Sequence, residues 1–204
     1  MTAPLASFPL QDLLDALASK TPAPGGGAAA GLTGATACGL ASMVIAYSLG
    51  KAALADHQDT LTAHATWLTN ARTLFLRLAD EDALAFPALQ AAQKLPDDDE
   101  TKAATLIEAI DAAVGAPRAT LAAAGDLLRK LEDLPTITNR HLASDLAIAG
   151  VLGESAAASA AWNVRINLPL ITDNARRNAI EADTTRLVSE AATRRAQIEA
   201  ACAR

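Results

Sequence analysis

A carboxylate on the apolar side of a helix is the group in this 204-residue chain that most plainly suits chemistry. At 100° per residue, Trp67, Leu68, Ala71, Phe75, Leu78, Asp82, Phe86 and Leu89 fall on one stripe, with Asp82 in its midst. Burial raises a carboxyl pKa and hydrogen-bond donors lower it. Such a group is therefore either a structural acceptor for another helix or an acid or base working near neutral pH. Asp80 lies about 160° round the same helix and does not share that position.

Two other patterns can bind. In Trp162-Asn163-Val164-Arg165-Ile166-Asn167-Leu168-Pro169, Asn163 and Asn167 stand four residues apart on one helix face. Pro169 has no N–H to donate to the Arg165 carbonyl, so backbone acceptors beside two amides could read a heterocycle, or the asparagines simply cap the helix end. Asp145 shares their azimuth but precedes Asn163 by 18 residues, about 27 Å of helix. It belongs to a different site, or meets this one through a second subunit. The third pattern is Thr21-Pro22-Ala23-Pro24-Gly25-Gly26-Gly27. Its prolines stop one helix, and its glycines let backbone approach a ligand at the start of the next, where free N–H groups suit an anion or a polar heterocycle. The plainer alternative is a tight turn.

These patterns require helices to position them. Of the residues, 51% are hydrophobic but only 3% aromatic, and alanine and leucine dominate. That composition predicts one all-α domain over residues 1–204, a bundle of about six helices with long central ones. The spacing predicts helices from Ser7 or Pro9 to about Ser19, from the glycine loop to a C-cap at Gly50, and from Asp56 to Lys94 with a bend at Pro87. Three more run from Thr101 to Leu131 with a kink near Gly115 and Pro117, from an N-cap at Ser144 to Asn167, and from beyond Pro169 to near the C-terminus. An alanine core buries little apolar area per side chain, so close-packed helices and a subunit interface are expected, and the chain should form a homodimer or higher homo-oligomer.

Ala28 to Gly50 carries no charge and is long enough to span a bilayer. Its glycines and hydroxyls, with Ala28, Gly31, Ala35, Cys38 and Ser42 at three- and four-residue spacing, instead predict a buried central helix. A net charge of −6 without a basic run argues against nucleic-acid and anionic-membrane partners. Two cysteines and no secretory leader pattern suggest a cytoplasmic protein with an inert, buried Cys38. His57, His64 and His141 have no metal-ligand spacing, and no metal site is expected.

Taken in order, Thr21 to Gly27, Ala41-Ser42-Met43-Val44, Asp80-Glu81-Asp82-Ala83, Lys94-Leu95-Pro96, Ser144-Asp145-Leu146 and Asn163-Val164-Arg165-Ile166-Asn167-Leu168 resemble the cyclodeaminase/cyclohydrolase family of folate enzymes. The resemblance covers most of the chain and extends to the C-terminal half of formiminotransferase-cyclodeaminase. It implies a dimerising helical bundle with its cleft at or near the subunit interface. It also implies one-carbon chemistry on a tetrahydrofolate substrate, without a cofactor: hydrolysis of 5,10-methenyltetrahydrofolate to 10-formyltetrahydrofolate, or cyclisation of 5-formiminotetrahydrofolate with release of ammonia.

Carried over by residue, Gly25, Gly26 and Gly27 would form the ligand loop. Asp80 or Asp82 would be the acid/base, with Asp145 a further catalytic candidate. Asn139, Asn163 and Asn167 would be polar site positions, and Lys51 or Arg165 would meet the glutamate tail. Ala28 replaces the family's usual serine, and Ala52 a second basic residue, which leaves room for a non-catalytic folate-binding module. The absence of a formiminotransferase domain favours the cyclohydrolase reaction.

Overall fold

The computed structural model describes residues 3–203, and its regular elements among these are helices alone. Six α-helices follow in order: α1 (Leu10–Ala18), α2 (Gly26–Ala46), α3 (Gln58–Gln93), α4 (Lys102–Glu132), α5 (Ala143–Asn167) and α6 (Asn174–Cys202). Short 3₁₀ turns at Leu5–Ser7, Ala52–His57, Arg140–Leu142 and Leu168–Leu170 join them.

α2 is the central helix, packed along α3 on one side and α5 on the other. Its small residues make this possible. A Cβ added at Gly31 would stand 2.8 Å from the Phe75 carbonyl oxygen, and one at Gly34 would stand 2.5 Å from the Phe75 ring. α3 therefore lies against the α2 backbone itself, and Phe75 fills the space that the missing side chains leave. Although α2 has the length and hydropathy of a membrane span, Ala28, Ala37, Cys38, Ala41, Val44 and Ile45 are fully buried within the bundle. Burial pushes the Cys38 thiol up to about 12, against weaker opposing effects of Arg72 and a backbone hydrogen bond, so it stays protonated.

Long helices consecutive in the chain run antiparallel, as do α2 and α5, whereas α4 and α6 run parallel, Asp111 meeting Arg176 and Glu132 meeting Arg194. Gly27 meets Asp82 while Gly34 meets Phe75, which sets α2 against α3. Gly26 meets Asn163 at one end of the α2–α5 pair, and Ser48 accepts from the Asn139 N–H at the other. Gly153 packs on Leu128, and Gly150 on Ile198, where α5 crosses α4 and α6. The main core is correspondingly mixed: alanines of α2 and α5 interleave with Leu61, Leu68, Leu121, Leu127, Leu128 and Leu131. α1 sits at the edge, with Leu13 and Leu17 on Ala28 and Ala79 and with Leu10 and Leu14 in solvent.

Several ends differ from the sequence reading. α2 stops at Ala46, and Gly50, the one positive-φ residue among those described (75°), serves the turn that follows. The Ala52–His57 turn replaces the expected start of α3 at Asp56. Ser144 is not an N-cap: α5 begins at Ala143 after Leu142, because the Arg140–Leu142 turn runs directly into it and Asn139 caps that turn through the His141 N–H. Asp173 caps α6 by accepting from Ala175 and Arg176 N–H.

Candidate active site

A cleft of about 250 Å³ opens where α2 begins. Its floor is the glycine loop and the first turn of α2, from Pro22 and Ala23 through Gly25, Gly26 and Gly27. One wall is α3, with Asp82, Ala83, Ala85 and Phe86. Ala113 of α4 and Asn163, Ile166 and Asn167 of α5 complete it.

Asp82 lies directly over Gly27. A Cβ there would stand 2.0 Å from its Oδ1 and 2.2 Å from its Cγ, so the carboxylate occupies the space that the absent side chain vacates. The Ala28 N–H donates to it, so an α3 side chain caps α2, whose own N-cap residue, Gly25, has no side chain. Burial pushes the Asp82 carboxyl above its ordinary range, and the Ala28 hydrogen bond pulls it partly back. Asp82 is also the single ionisable residue among those lining the cleft. A half-buried carboxylate with a raised pKa and an open face towards a cleft is the arrangement of a general acid/base.

The two asparagines have separate tasks. The Asn163 amide donates to the Ser159 carbonyl at 3.0 Å, which leaves its Oδ1 beside Gly26 as an acceptor facing the cleft. The Asn167 amide donates to the carbonyls of Asn163 at 3.1 Å and Ala113 at 2.9 Å. Ala113 precedes Pro117 by four residues within α4, and proline has no N–H to return to that carbonyl. Asn167 replaces the missing helical donor and joins α5 to α4. Asn167→Ala should therefore lower stability by about 1–3 kcal/mol through a stranded acceptor, seen as a lower urea midpoint at unchanged slope.

The remaining candidates lie elsewhere. Asp80 accepts from the Leu5 N–H at 2.8 Å and tethers the N-terminal segment. Arg165 faces away from the cleft: its Nε is 3.1 Å from Glu181, and it also reaches Thr185 on α6. The Arg165 carbonyl, expected to be open, accepts from the Leu168 N–H as α5 tightens into the 3₁₀ turn. Lys51, Asn139 and Asp145 occupy the opposite pole of the bundle, Asp145 about 27 Å along α5 from Asn163. No single chain brings that group to Asp82.

Phe86 and Ile166 are lining residues the sequence pattern did not single out. The stripe of α3 placed Phe86 in the core, yet it is 46% exposed at the cleft and Ile166 is 74% exposed. The usable signal was position: Phe86 stands one turn beyond Asp82, and Ile166 lies between the two asparagines.

Comparison with known proteins agrees with this architecture. A sequence model described as Formiminotransferase-cyclodeaminase matches residues 9–186. Formimidoyltransferase-cyclodeaminase of Sus scrofa is 31% identical over 194 residues, spanning 93% of this chain but 36% of that protein. Methenyltetrahydrofolate cyclohydrolase of Methylorubrum extorquens is 31% identical over 170 residues, spanning 81% of this chain and 82% of that one. The crystal structure of formiminotetrahydrofolate cyclodeaminase from Thermotoga maritima is similar with a TM-score of 0.89 at 26% identity, covering 97% of this chain and 96% of that one. With two thirds or more of its length matched both by the family model and by relatives above 30% identity, the chain belongs to the formiminotransferase-cyclodeaminase family.

Proposed function

We propose that this chain is a methenyltetrahydrofolate cyclohydrolase that converts 5,10-methenyltetrahydrofolate and water to 10-formyltetrahydrofolate. The observation that carries the reading is Asp82, a carboxylate of raised pKa held over Gly27 in a cleft with no other ionisable lining residue. Similarity over most of both chains to the Methylorubrum extorquens cyclohydrolase supports it.

The chemistry follows from the position of that carboxylate. Ionised Asp82 takes a proton from water as the oxygen bonds to the methenyl carbon, giving a tetrahedral carbon between N5 and N10. It returns the proton to N5 as the C–N5 bond breaks. The hydroxyl then loses its proton as the formyl C=O forms, so one proton is released per turnover. Asn163 Oδ1 offers an acceptor to the ring system, and the reading calls on no cofactor. A cleft of about 250 Å³ takes the ring end of the folate and leaves its tail outside.

The same carboxylate could serve a cyclodeaminase, passing the N10 proton to departing ammonia. The likeness to the Thermotoga maritima enzyme favours that second reading. We also infer a homodimer. Ile148, Val151, Trp162 and Ile166 form an exposed, uncharged stripe about 27 Å long on α5 that runs into the cleft. A second copy covering it antiparallel would bring the partner's Lys51 end towards this cleft, which is the role left for that cation, and the site would then work as a cytoplasmic dimer.

The deciding assay follows the near-ultraviolet absorbance of 5,10-methenyltetrahydrofolate. Loss faster than spontaneous hydrolysis is the expected result. No acceleration, with formation of that absorbance and ammonia from 5-formiminotetrahydrofolate, would replace hydrolase by cyclodeaminase. Inactivity on both substrates would leave a binding module.

A further inference from the structure

We propose that Phe86 makes this cleft selective for a cationic ligand, its ring face meeting the planar amidinium that links N5 and N10; the proposal rests on the folate reading above. Phe86 follows Asp82 by one turn on α3, so both face the same cleft. Opposite them, Ile166 projects from α5, which packs on the other side of α2. Each wall thus carries a polar group, Asp82 or Asn163, with a large apolar side chain one turn further along. Leaving Phe86 46% exposed at the cleft is unfavourable unless a ligand covers it.

Charge narrows what that ligand is. The lining residues include one carboxylate and no lysine, arginine or histidine, and an aromatic face attracts cations and not anions. 5,10-Methenyltetrahydrofolate carries a positive charge delocalised over N5, the bridging carbon and N10. 5-Formyltetrahydrofolate keeps the same pterin ring and tail but carries a neutral, unbridged formyl group on N5. Asp82 interacts with both charge and hydrogens, whereas an aromatic ring at Phe86 favours the planar, cationic ligand over the neutral, unbridged one.

The test measures KM for the methenyl compound and the inhibition constant of 5-formyltetrahydrofolate in the wild type, Phe86→Leu and Phe86→Tyr. Phe86→Leu keeps apolar contact and removes the ring. It should raise KM about 3- to 30-fold while the inhibition constant of the neutral compound changes less than 2-fold, and Phe86→Tyr should keep the wild-type ratio. Equal weakening of both ligands would mean a simple apolar wall and overturn the proposal, as would no change in either. Should Phe86→Leu melt far below the wild type, loss of the ratio in Phe86→Tyr decides against it. Failure of the folate reading is separate and seen first: wild-type protein that neither turns over nor binds these folates overturns both.

Discussion

Asp82→Asn should keep the fold and reduce methenyltetrahydrofolate hydrolysis by about 10²- to 10⁴-fold, the usual contribution of a general acid/base. The amide oxygen can still accept from the Ala28 N–H, so α2 keeps its cap, but the amide cannot take a proton from water. Stability separates this result from simple damage. Because burial raises the Asp82 pKa in the folded chain, the native state binds a proton more readily than the unfolded one. Ionising the carboxyl therefore costs stability as pH rises through the folded pKa, and that cost is absent below the unfolded value. Asparagine does not ionise, so at neutral pH the variant should melt at or above the wild-type temperature while losing turnover. The wild-type rate should fall on acidification through a pKa above the ordinary 3.8 of an aspartate. A variant that loses heat resistance and activity together would return Asp82 to a purely structural role.

Gly27→Ala should be nearly as damaging to activity through a different cause. Its Cβ would overlap the Asp82 carboxylate, with Oδ1 at 2.0 Å and Oδ2 at 2.4 Å. The atoms in the way belong to the end of a side chain, so Asp82 turns aside and loses the Ala28 N–H. Turnover should fall to the level of Asp82→Asn, while stability falls by about 1–3 kcal/mol for the lost charged hydrogen bond. Rates and melting curves of the single and double variants check this. With Asp82 already replaced, adding Gly27→Ala should cost little further activity, since both changes disable one group. Additive losses would show that Gly27 serves the ligand directly.

Much of this was legible from local pattern. Six helices followed from the 3.6-residue period and from Pro/Gly punctuation, because alanine- and leucine-rich segments have no competing strand preference. The glycine loop, Asp82, Asn163 and Asn167 were legible as chemistry, and the structure places them in one cleft. What pattern could not supply was partners distant in sequence. Asp80 is held by Leu5, 75 residues away, and Arg165 by Glu181 on the next helix. Helix ends were misplaced where a 3₁₀ turn extends or precedes an α-helix, as at Asp56 and Ser144, since its residues fit either geometry. Phe86 was misassigned because α3 here turns Ala85, Leu89 and Ala92 onto α4 while Phe86 borders the cleft, and an apolar stripe does not reveal which of its residues a neighbour covers.

The Asn167 amide on the Ala113 carbonyl, at 2.9 Å, has a mechanical consequence. A helix normally completes its ladder within itself, but α4 at Pro117 completes its own only through α5. Neither segment can fray there without breaking the other's bond, so in amide-exchange experiments they should open as one cooperative unit. The cleft then has one stiff jaw, made of α4 and α5. The edge where α1 rests by Leu13 and Leu17 on Ala28 and Ala79 shares no such bond and should open separately in the same exchange experiment.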